Sequence, residues 1–300
     1  MSSKLELLTG RNYLSYSSMS SYLECGKRYE LERVYNAPQT PAWYFLGGDA
    51  VHSASEALDK GEQESVEQAW ADAWMNALDT LEPGEEPRAG GRKSSAWPNK
   101  ENRDWWEHHG PGMVADWVRW RDSSGYQFLE MPDGSPAIEV PVDFEFAPTM
   151  VKGYIDRVMV DGNGQVIVVD LKTGSREPVS SLQLAVYSLG LQHVHGITAT
   201  LGGYWMARQG DIPSLHSLAH LTGELVGGWF NDVHRGIEAE IFVPKVSPLC
   251  NACSVKDFCP AVGGTESALT RPIFTSVTLV PEGNMSDNTS STQLKGEDPL

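Results

Sequence analysis

The chain is short of what a membrane protein, a motor or a disulfide scaffold needs. No run of about eighteen apolar residues occurs and the N-terminus lacks an apolar signal core, so the sequence predicts a soluble cytoplasmic protein. No G-x-x-x-x-G-K-[S/T] loop is present, which argues against an attached ATP motor, and no internal repeat is found. Positive charge is scarce: 23 lysines and arginines face 40 aspartates and glutamates, a formal net charge of −17. That balance is the reverse of the basic field usual in nucleic-acid binders. The acid is unevenly spread, however. Glu56 to Glu86 holds ten acidic residues and only Lys60, whereas Arg88 to Arg121 holds seven basic residues (Arg88, Arg92, Lys93, Lys100, Arg103, Arg119, Arg121) against four acidic ones, so a basic stripe survives.

Cysteine is confined to Cys25, Cys250, Cys253 and Cys259. A C-x2-C-x5-C run with one partner far upstream points, in an intracellular protein, to metal before disulfide, and both zinc and iron-sulphur clusters accept four thiolates.

The residues that carry chemistry concentrate between Val151 and Tyr187. Val151 to Asp161 and Gln165 to Lys172 are rich in β-branched residues and flank Gly162-Asn163-Gly164, the pattern of a hairpin. Side chains alternate along a strand, so Asp170 and Lys172 share a face while Leu171 points to the core. A three-residue loop ending at Gly164 sets Asp156 opposite Asp170; a two-residue loop would turn it to the wrong face. Two carboxylates and an ammonium gathered on one face suit a hard divalent cation such as Mg²⁺ or Mn²⁺, which takes oxygen ligands and keeps several waters. Read alone, the Asp170-x-Lys172 pair would be a surface ion pair worth little. Gln183 and Tyr187, four apart on a helix beginning near Ser180, share a face and could reach a phosphate or base beside that cation.

Together, Gly153-x-x-Asp156, Asp170-Leu171-Lys172-Thr173-Gly174 and Gln183-x-x-x-Tyr187 resemble successive motifs of the RecB-like branch of the PD-(D/E)XK nuclease superfamily. Gly48-x-x-x-His52 resembles that family's first motif, and a serine-rich cap before a helix with Cys25 resembles its N-terminal pattern, with Gly26 where many relatives have proline. The similarity spans roughly residues 13 to 262. It implies a metal-dependent DNA exonuclease acting on single-stranded ends with 5′ to 3′ polarity. His52, Asp156, Asp170 and the Leu171 carbonyl would be metal ligands, Lys172 a catalytic residue, and Gln183 and Tyr187 DNA contacts. An imidazole among the ligands tilts preference toward Mn²⁺ over Mg²⁺. The resemblance to AddB-type nucleases and CRISPR-associated exonucleases also implies that the four cysteines hold a 4Fe-4S cluster, joining the N- and C-terminal segments. The implied fold is a restriction-endonuclease-like α/β (α+β) domain with a mixed β-sheet flanked by helices, over residues 1–270, with a helical insertion over 57–135 and a flexible tail over 271–300. DNA is the implied partner. Recombination and CRISPR adaptation proteins are candidate protein partners, phage DNA metabolism is a third setting, and a homo-oligomer is compatible with the sequence. The competing class is a non-catalytic DNA-binding or recombination accessory protein stabilised by the cluster or by zinc.

The remaining expectations are local. One helix is predicted over Ser18 to Val34, with Lys27, Arg28 and Arg33 near a phosphate backbone or on a solvated face. Gly47 and Gly48 should lead into the helix that carries His52 and, one turn on, Glu56 as its supporting partner. Glu64 to Leu81 is an amphipathic helix, Glu82 to Asn99 a loop, and Asp104 to Arg121 a helix broken at Gly110-Pro111-Gly112. Trp97, Trp105, Trp106, Trp117 and Trp120 either pack in the core or stack on bases, in a helical lobe over the metal cleft. Ala137 to Phe146 alternates as a strand, in which Glu139 is an extra carboxylate for the site or an exposed glutamate. A further strand (Thr200 to Arg208) and helix (Thr222 to Glu240) complete the pattern.

Overall fold

The computed structural model describes residues 3–274, so the tail expected over 271–300 lies outside the described residues from 275 onward. A short helix absent from the sequence reading, α1 (Lys4–Thr9), starts at the Ser3 cap and ends at Gly10, whose φ of 73° suits glycine. Strand β1 (Tyr13–Leu14) leads into α2 (Tyr16–Glu24), where Ser15 and Ser18 cap each other reciprocally. The single helix expected over Ser18 to Val34 is broken. The chain is extended at Cys25 (φ −164°, ψ 106°), restarts as α3 (Gly26–Tyr29) and continues as a π-helical turn over Glu30–Val34. Gly26 permits this, since a Cβ there would lie 2.9 Å from the Val243 backbone nitrogen. The restart is thus pressed against the segment that leads to the other cysteines.

Helix α4 (Trp43–Asp59) contains Gly47 and Gly48 rather than following them, because a Cβ at Gly47 would lie 2.1 Å from the Trp106 ring. After α5 (Val66–Leu78), helix α6 (Arg103–Ser123) runs unbroken through Pro111. A proline inside a helix costs about 3 kcal/mol locally. Here Trp105, Trp106, Met113, Val114 and Trp117 are buried on both sides of it, and their packing outweighs that cost. Gly110 meets the Trp70 ring, with 2.0 Å between a built Cβ and the ring. Gly110→Ala, which would gain about 1 kcal/mol in an isolated helix, is therefore expected to destabilise by about 1 to 3 kcal/mol through overpacking. Urea denaturation checks this, and an unchanged or raised midpoint would contradict the α5–α6 contact.

The sheet is built from β1, β2 (Gln127–Phe128), β3 (Ile138–Phe146), β4 (Thr149–Val160), β5 (Val166–Lys172), β6 (Leu201–Met206) and β7 (Leu215–Ser217), of which β1, β2 and β7 are absent from the sequence reading. Its order is β1-β4-β5-β6-β7, with β2 and β3 pairing the other side of β4; β1–β4 and β5–β6 are parallel and the rest antiparallel, so the sheet is mixed. Helices α7 (Leu182–His195) and α8 (Gly223–Glu238) bury Leu184, Leu191, Phe230 and Val233 against one face, together with Leu5 and Met19. The other face carries α4, α5 and α6, through Trp43, Trp70, Trp74, Trp106 and Trp117 on Ile167, Val169, Leu171 and Trp205. Helices α5 and α6 are thus packed on the sheet; Trp70, Trp74, Trp105, Trp106 and Trp117 are core, while Trp97 and Trp120 are partly buried against it.

The β4–β5 hairpin closes with Asp161 N–H donating to the Gln165 carbonyl (3.1 Å) around the three-residue loop Gly162-Asn163-Gly164, with Gly164 at φ 79°. The Asp161 carboxylate accepts from the Asn163 and Gln165 amides at 2.8 Å each. The last pair of the ladder is Arg157 with Val169, and the same register continued by one step would set Asp156 across from Asp170. Beyond that point β4 leaves β5. Along this edge its next partner is β1, at Met150 and Val151. The sheet splits between those two pairings, and the split is where polar side chains collect.

Candidate active site

The divergence of β4 from β5 leaves the Leu171 amide without a ladder partner, and the Asp156 carboxylate takes that place: Leu171 N–H donates to Asp156 Oδ2 at 2.8 Å. The sequence alternation holds as read. Leu171 is buried among the tryptophans, while Asp170 and Lys172 face the other way, with Lys172 Nζ 2.6 Å from Asp170 Oδ2. That contact is an ion pair without hydrogen-bond angles, so Asp170 Oδ2 is a buried acceptor still unsatisfied by a hydrogen bond. From α4, the His52 ring spans the gap, with Nε2 3.0 Å from the Leu171 carbonyl and Nδ1 3.4 Å from Asp156 Oδ2. Gly48, one turn earlier, lets α4 close on the Asp-Leu-Lys-Thr end of β5, since its Cβ position is 3.2 Å from Thr173 Oγ1.

Asp170 is 1 % exposed. Burial, and then the neighbouring Asp156 charge, push its carboxyl from 3.8 up to about 6 although Lys172 pulls the other way. Burial works against the Lys172 ammonium, but the Asp170 and Asp156 carboxylates outweigh it and hold its pKa above the ordinary lysine value. Glu139 is driven from 4.5 up to about 7, by burial first and Asp156 second. Its Oε1 accepts from Arg157 Nη1 at 3.1 Å, so it is held inward and is not the exposed strand glutamate that alternation suggested. Asp170 and Glu139, crowded in this way around Asp156, are what a divalent cation would relieve. Among the described residues no three His, Cys, Asp or Glu side chains converge tightly enough to hold an ion by themselves. The donor set of Asp156, Asp170, His52 and the Leu171 carbonyl nonetheless fits Mg²⁺ or Mn²⁺ in kind, because such ions complete their shell with water and phosphate oxygens.

These shifts give a sign to the pH dependence. A carboxyl whose pKa is raised by folding contributes stability below its unfolded value that is lost as pH climbs through the folded value. For Asp170 the window runs from 3.8 to about 6 and for Glu139 from 4.5 to about 7. In metal-free protein, the thermal midpoint of Asp170→Asn should therefore rise relative to that of wild type between about pH 4 and pH 7. A difference constant over that range would contradict the assignment.

Behind the site lies a buried network that the sequence reading missed. Asp59, at the end of α4, accepts from Arg157 Nε (2.6 Å), Arg121 Nη1 (2.7 Å) and Trp117 Nε1 (3.1 and 3.0 Å). Asp59 lies seven residues after His52, on the same helix face, and Arg157 is a charge within the apolar run of β4; both signals were present in the sequence. Tyr16 at the start of α2 is partly buried, which raises its pKa, and Lys172 and Asp170 are among the charges it feels.

Other expected residues fall less simply. Gln183 Nε2 donates to Tyr187 Oη at 3.0 Å, as their spacing predicted. Tyr187 is buried, its ring over Gly153, with Asp170 and Asp156 near enough to add to the effect of burial in raising its pKa, so Gln183 is the more accessible of the two. Glu56 pairs with Lys60 rather than supporting His52. Much of the basic stripe is spent internally: Arg103 on Glu107, Arg119 on Asp116, Arg121 on Asp59 and Asp122, and Arg88 on the Ala252 and Thr40 carbonyls. Lys27 and Arg28 likewise pair with Glu30, Glu266, Glu24 and Glu32. Trp105, Trp106 and Trp117 are buried, which rules out base stacking for them. The cysteines from both ends of the chain reach one corner. Cys25 Sγ accepts from Lys245 N–H (3.3 Å) and Cys250 Sγ from Ser247 N–H (3.4 Å), while Cys253 and Cys259 pack beside Leu31, Ala37 and Val255. All four thiols are free and half-buried.

A family model described as the PD-(D/E)XK nuclease superfamily matches residues 13–260. Gene 69 protein of Mycobacterium phage D29 is 30% identical over 272 residues, covering 82% of this chain and 96% of the relative. Gene 69 protein of Mycobacterium phage L5 is 27% identical over 286 residues, covering 82% and 95%. Among solved structures, the crystal structure of SSO0001 aligns over 86% of this chain and 92% of its own at a TM-score of 0.37 and 14% identity, a likeness too slight to carry an argument. Among the described residues no helix is long and apolar enough to cross a membrane.

Proposed function

We propose a function from one premise: this chain belongs to the PD-(D/E)XK nuclease superfamily. It is a Mn²⁺- or Mg²⁺-dependent deoxyribonuclease that degrades single-stranded DNA from its ends, in the 5′ to 3′ direction. The observation that carries this reading is the meeting of Asp156, Asp170, Lys172 and His52 at the split between β4 and β5, with the Asp170 carboxylate buried beside the Lys172 ammonium.

Asp156, Asp170, His52 and the Leu171 carbonyl would hold the cation. When bound, it supplies Lewis-acid polarisation of the phosphodiester and lowers the pKa of water. Lys172, kept protonated by its carboxylate neighbours, offsets negative charge developing on the phosphoryl oxygens and orients the attacking water. Asp156 fixes the end of β5 through the Leu171 amide, so the donors from two strands keep one spacing. Gln183 would contact the DNA strand, its amide donating to Tyr187 Oη.

The cysteine corner carries a 4Fe-4S cluster in this reading. Backbone N–H groups already donate to two of the sulfurs, as they do to cluster thiolates. The cluster would tie α2 and α3 to the segment after α8 and would be structural. Anaerobically purified protein should show the visible charge-transfer absorption of an iron-sulphur centre; colourless protein with bound zinc would replace the cluster by zinc and leave the nuclease reading intact.

The activity is tested with single-stranded DNA labelled at one end or the other, in Mn²⁺. Release of mononucleotides or short oligonucleotides from the 5′ end is expected. Release from the 3′ end would overturn the polarity, and binding without cleavage would establish the accessory DNA-binding role instead.

A further inference from the structure

Asp156 sits at a defect in its own strand. On one side β4 has already parted from β5 after the Arg157–Val169 pair. On the other side the β3–β4 ladder pairs Ile138 with Arg157 and Val140 with Ile155, but omits the pair between them, Glu139 and Asp156. Glu139 has a φ of 50°, left-handed for a residue with a Cβ, and this takes it out of the ladder. Packing records the same fault. Val151 and Ile155 lie in the core under α7 and α8, and so does Val158, three residues on, where strict alternation would have turned it away. The proposed metal ligand is therefore the residue of β4 with the least help from the sheet, and an unladdered carbonyl in a buried strand needs another donor.

That donor is the next side chain. Arg157 Nη1 donates to the Asp156 carbonyl at 2.6 Å and to Glu139 Oε1 at 3.1 Å, while Nε donates to Asp59 Oδ2 at 2.6 Å. The guanidinium is 1 % exposed and lies 5.7 Å from the centre of the Trp117 ring. One planar group thus spans the fault in β4, the displaced Glu139, the end of the helix that carries His52, and a tryptophan of α6. Asp59 also receives Arg121 and Trp117 from α6, so the insertion layer holds the anchor in place.

We propose that Arg157 is a positioning residue for the metal site, fixing the Asp156 main chain against α4 and α6 so that its carboxylate and the His52 ring face each other across a set gap. Lysine cannot replace it. An ammonium retains the charge opposite Asp59 but lacks the planar fork that reaches Asp59 and the Asp156 carbonyl together. This inference rests on the metal-site reading above.

The test is Mn²⁺ binding, followed by the electron paramagnetic resonance signal of free Mn²⁺, in wild type, Arg157→Lys, Asp59→Asn and Asp170→Ala. Val233→Ala, a core truncation in α8, is the control for destabilisation alone. Arg157→Lys should bind Mn²⁺ about ten-fold or more weakly, as loss of a group behind a metal ligand usually does. Asp59→Asn should shift affinity in the same direction by less, and adding it to Arg157→Lys should weaken binding no further than Arg157→Lys alone. Val233→Ala should bind as wild type does. On single-stranded DNA at saturating Mn²⁺, Arg157→Lys should lower kcat and leave KM near the wild-type value. Should Arg157→Lys fail to fold, Asp59→Asn carries the same comparison. Wild-type affinity in both variants, with Asp170→Ala losing it, would overturn the positioning role alone. A wild type that takes up no Mn²⁺, or an Asp170→Ala that binds it equally well, would overturn the metal-site reading and this inference with it.

Discussion

Lys172→Ala should lower the turnover of single-stranded DNA by roughly 10²- to 10³-fold, the size expected when one charged donor is removed from a transition state. Its Nζ is 2.6 Å from Asp170 Oδ2 and faces the cleft, where it also lies 5.9 Å from the centre of the Tyr204 ring. Lysine truncation there leaves Asp170 without its cation, so Mn²⁺ binding should be retained or even tightened while kcat collapses. Asp170→Ala should lose both. The contrast between the two variants, measured as kcat and as Mn²⁺ affinity on the same preparations, separates a residue that acts on the reacting phosphate from one that holds the ion. Parallel losses of kcat and affinity in both would mean that Lys172 merely maintains the shape of the site.

The second large effect is on stability. Asp59→Ala should destabilise the fold by about 3 to 5 kcal/mol, because removing one partner of a buried ion pair leaves the other uncompensated. The Asp59 side chain is fully buried and faces Arg157, itself 1 % exposed, and Arg121. Denaturant unfolding gives the number. A loss below about 1 kcal/mol would place Asp59 among ordinary exposed ion pairs and would contradict the network described here.

Parts of this arrangement were legible from residue order alone because they follow from parity and spacing. The three-residue loop ending at Gly164 forces an odd-length connection, and an odd-length connection puts Asp156 across from Asp170. Gln183 and Tyr187 meet because they are four apart on a helix. The mixed sheet, its strands β3 to β6 and the amphipathic α5 were read from the same periodicities. What was not legible depends on contacts distant in sequence. Pro111 reads as a break until the tryptophans on both sides of it are packed. Cys25 reads as mid-helix until Gly26 meets Val243. Glu139 looked like an outward strand residue because alternation assumes an intact ladder, and the ladder fails at that residue. The basic stripe was real in composition but is largely neutralised by acids that folding brings beside it.

The claim on which the rest depends is that Asp156, Asp170 and His52 form a cation site at the split of the sheet. Anomalous scattering from a crystal soaked in Mn²⁺ tests it most directly. The expected result is a peak between those three side chains and the Leu171 carbonyl, absent in Asp170→Ala. No peak there, or one only at surface carboxylates, would contradict the account.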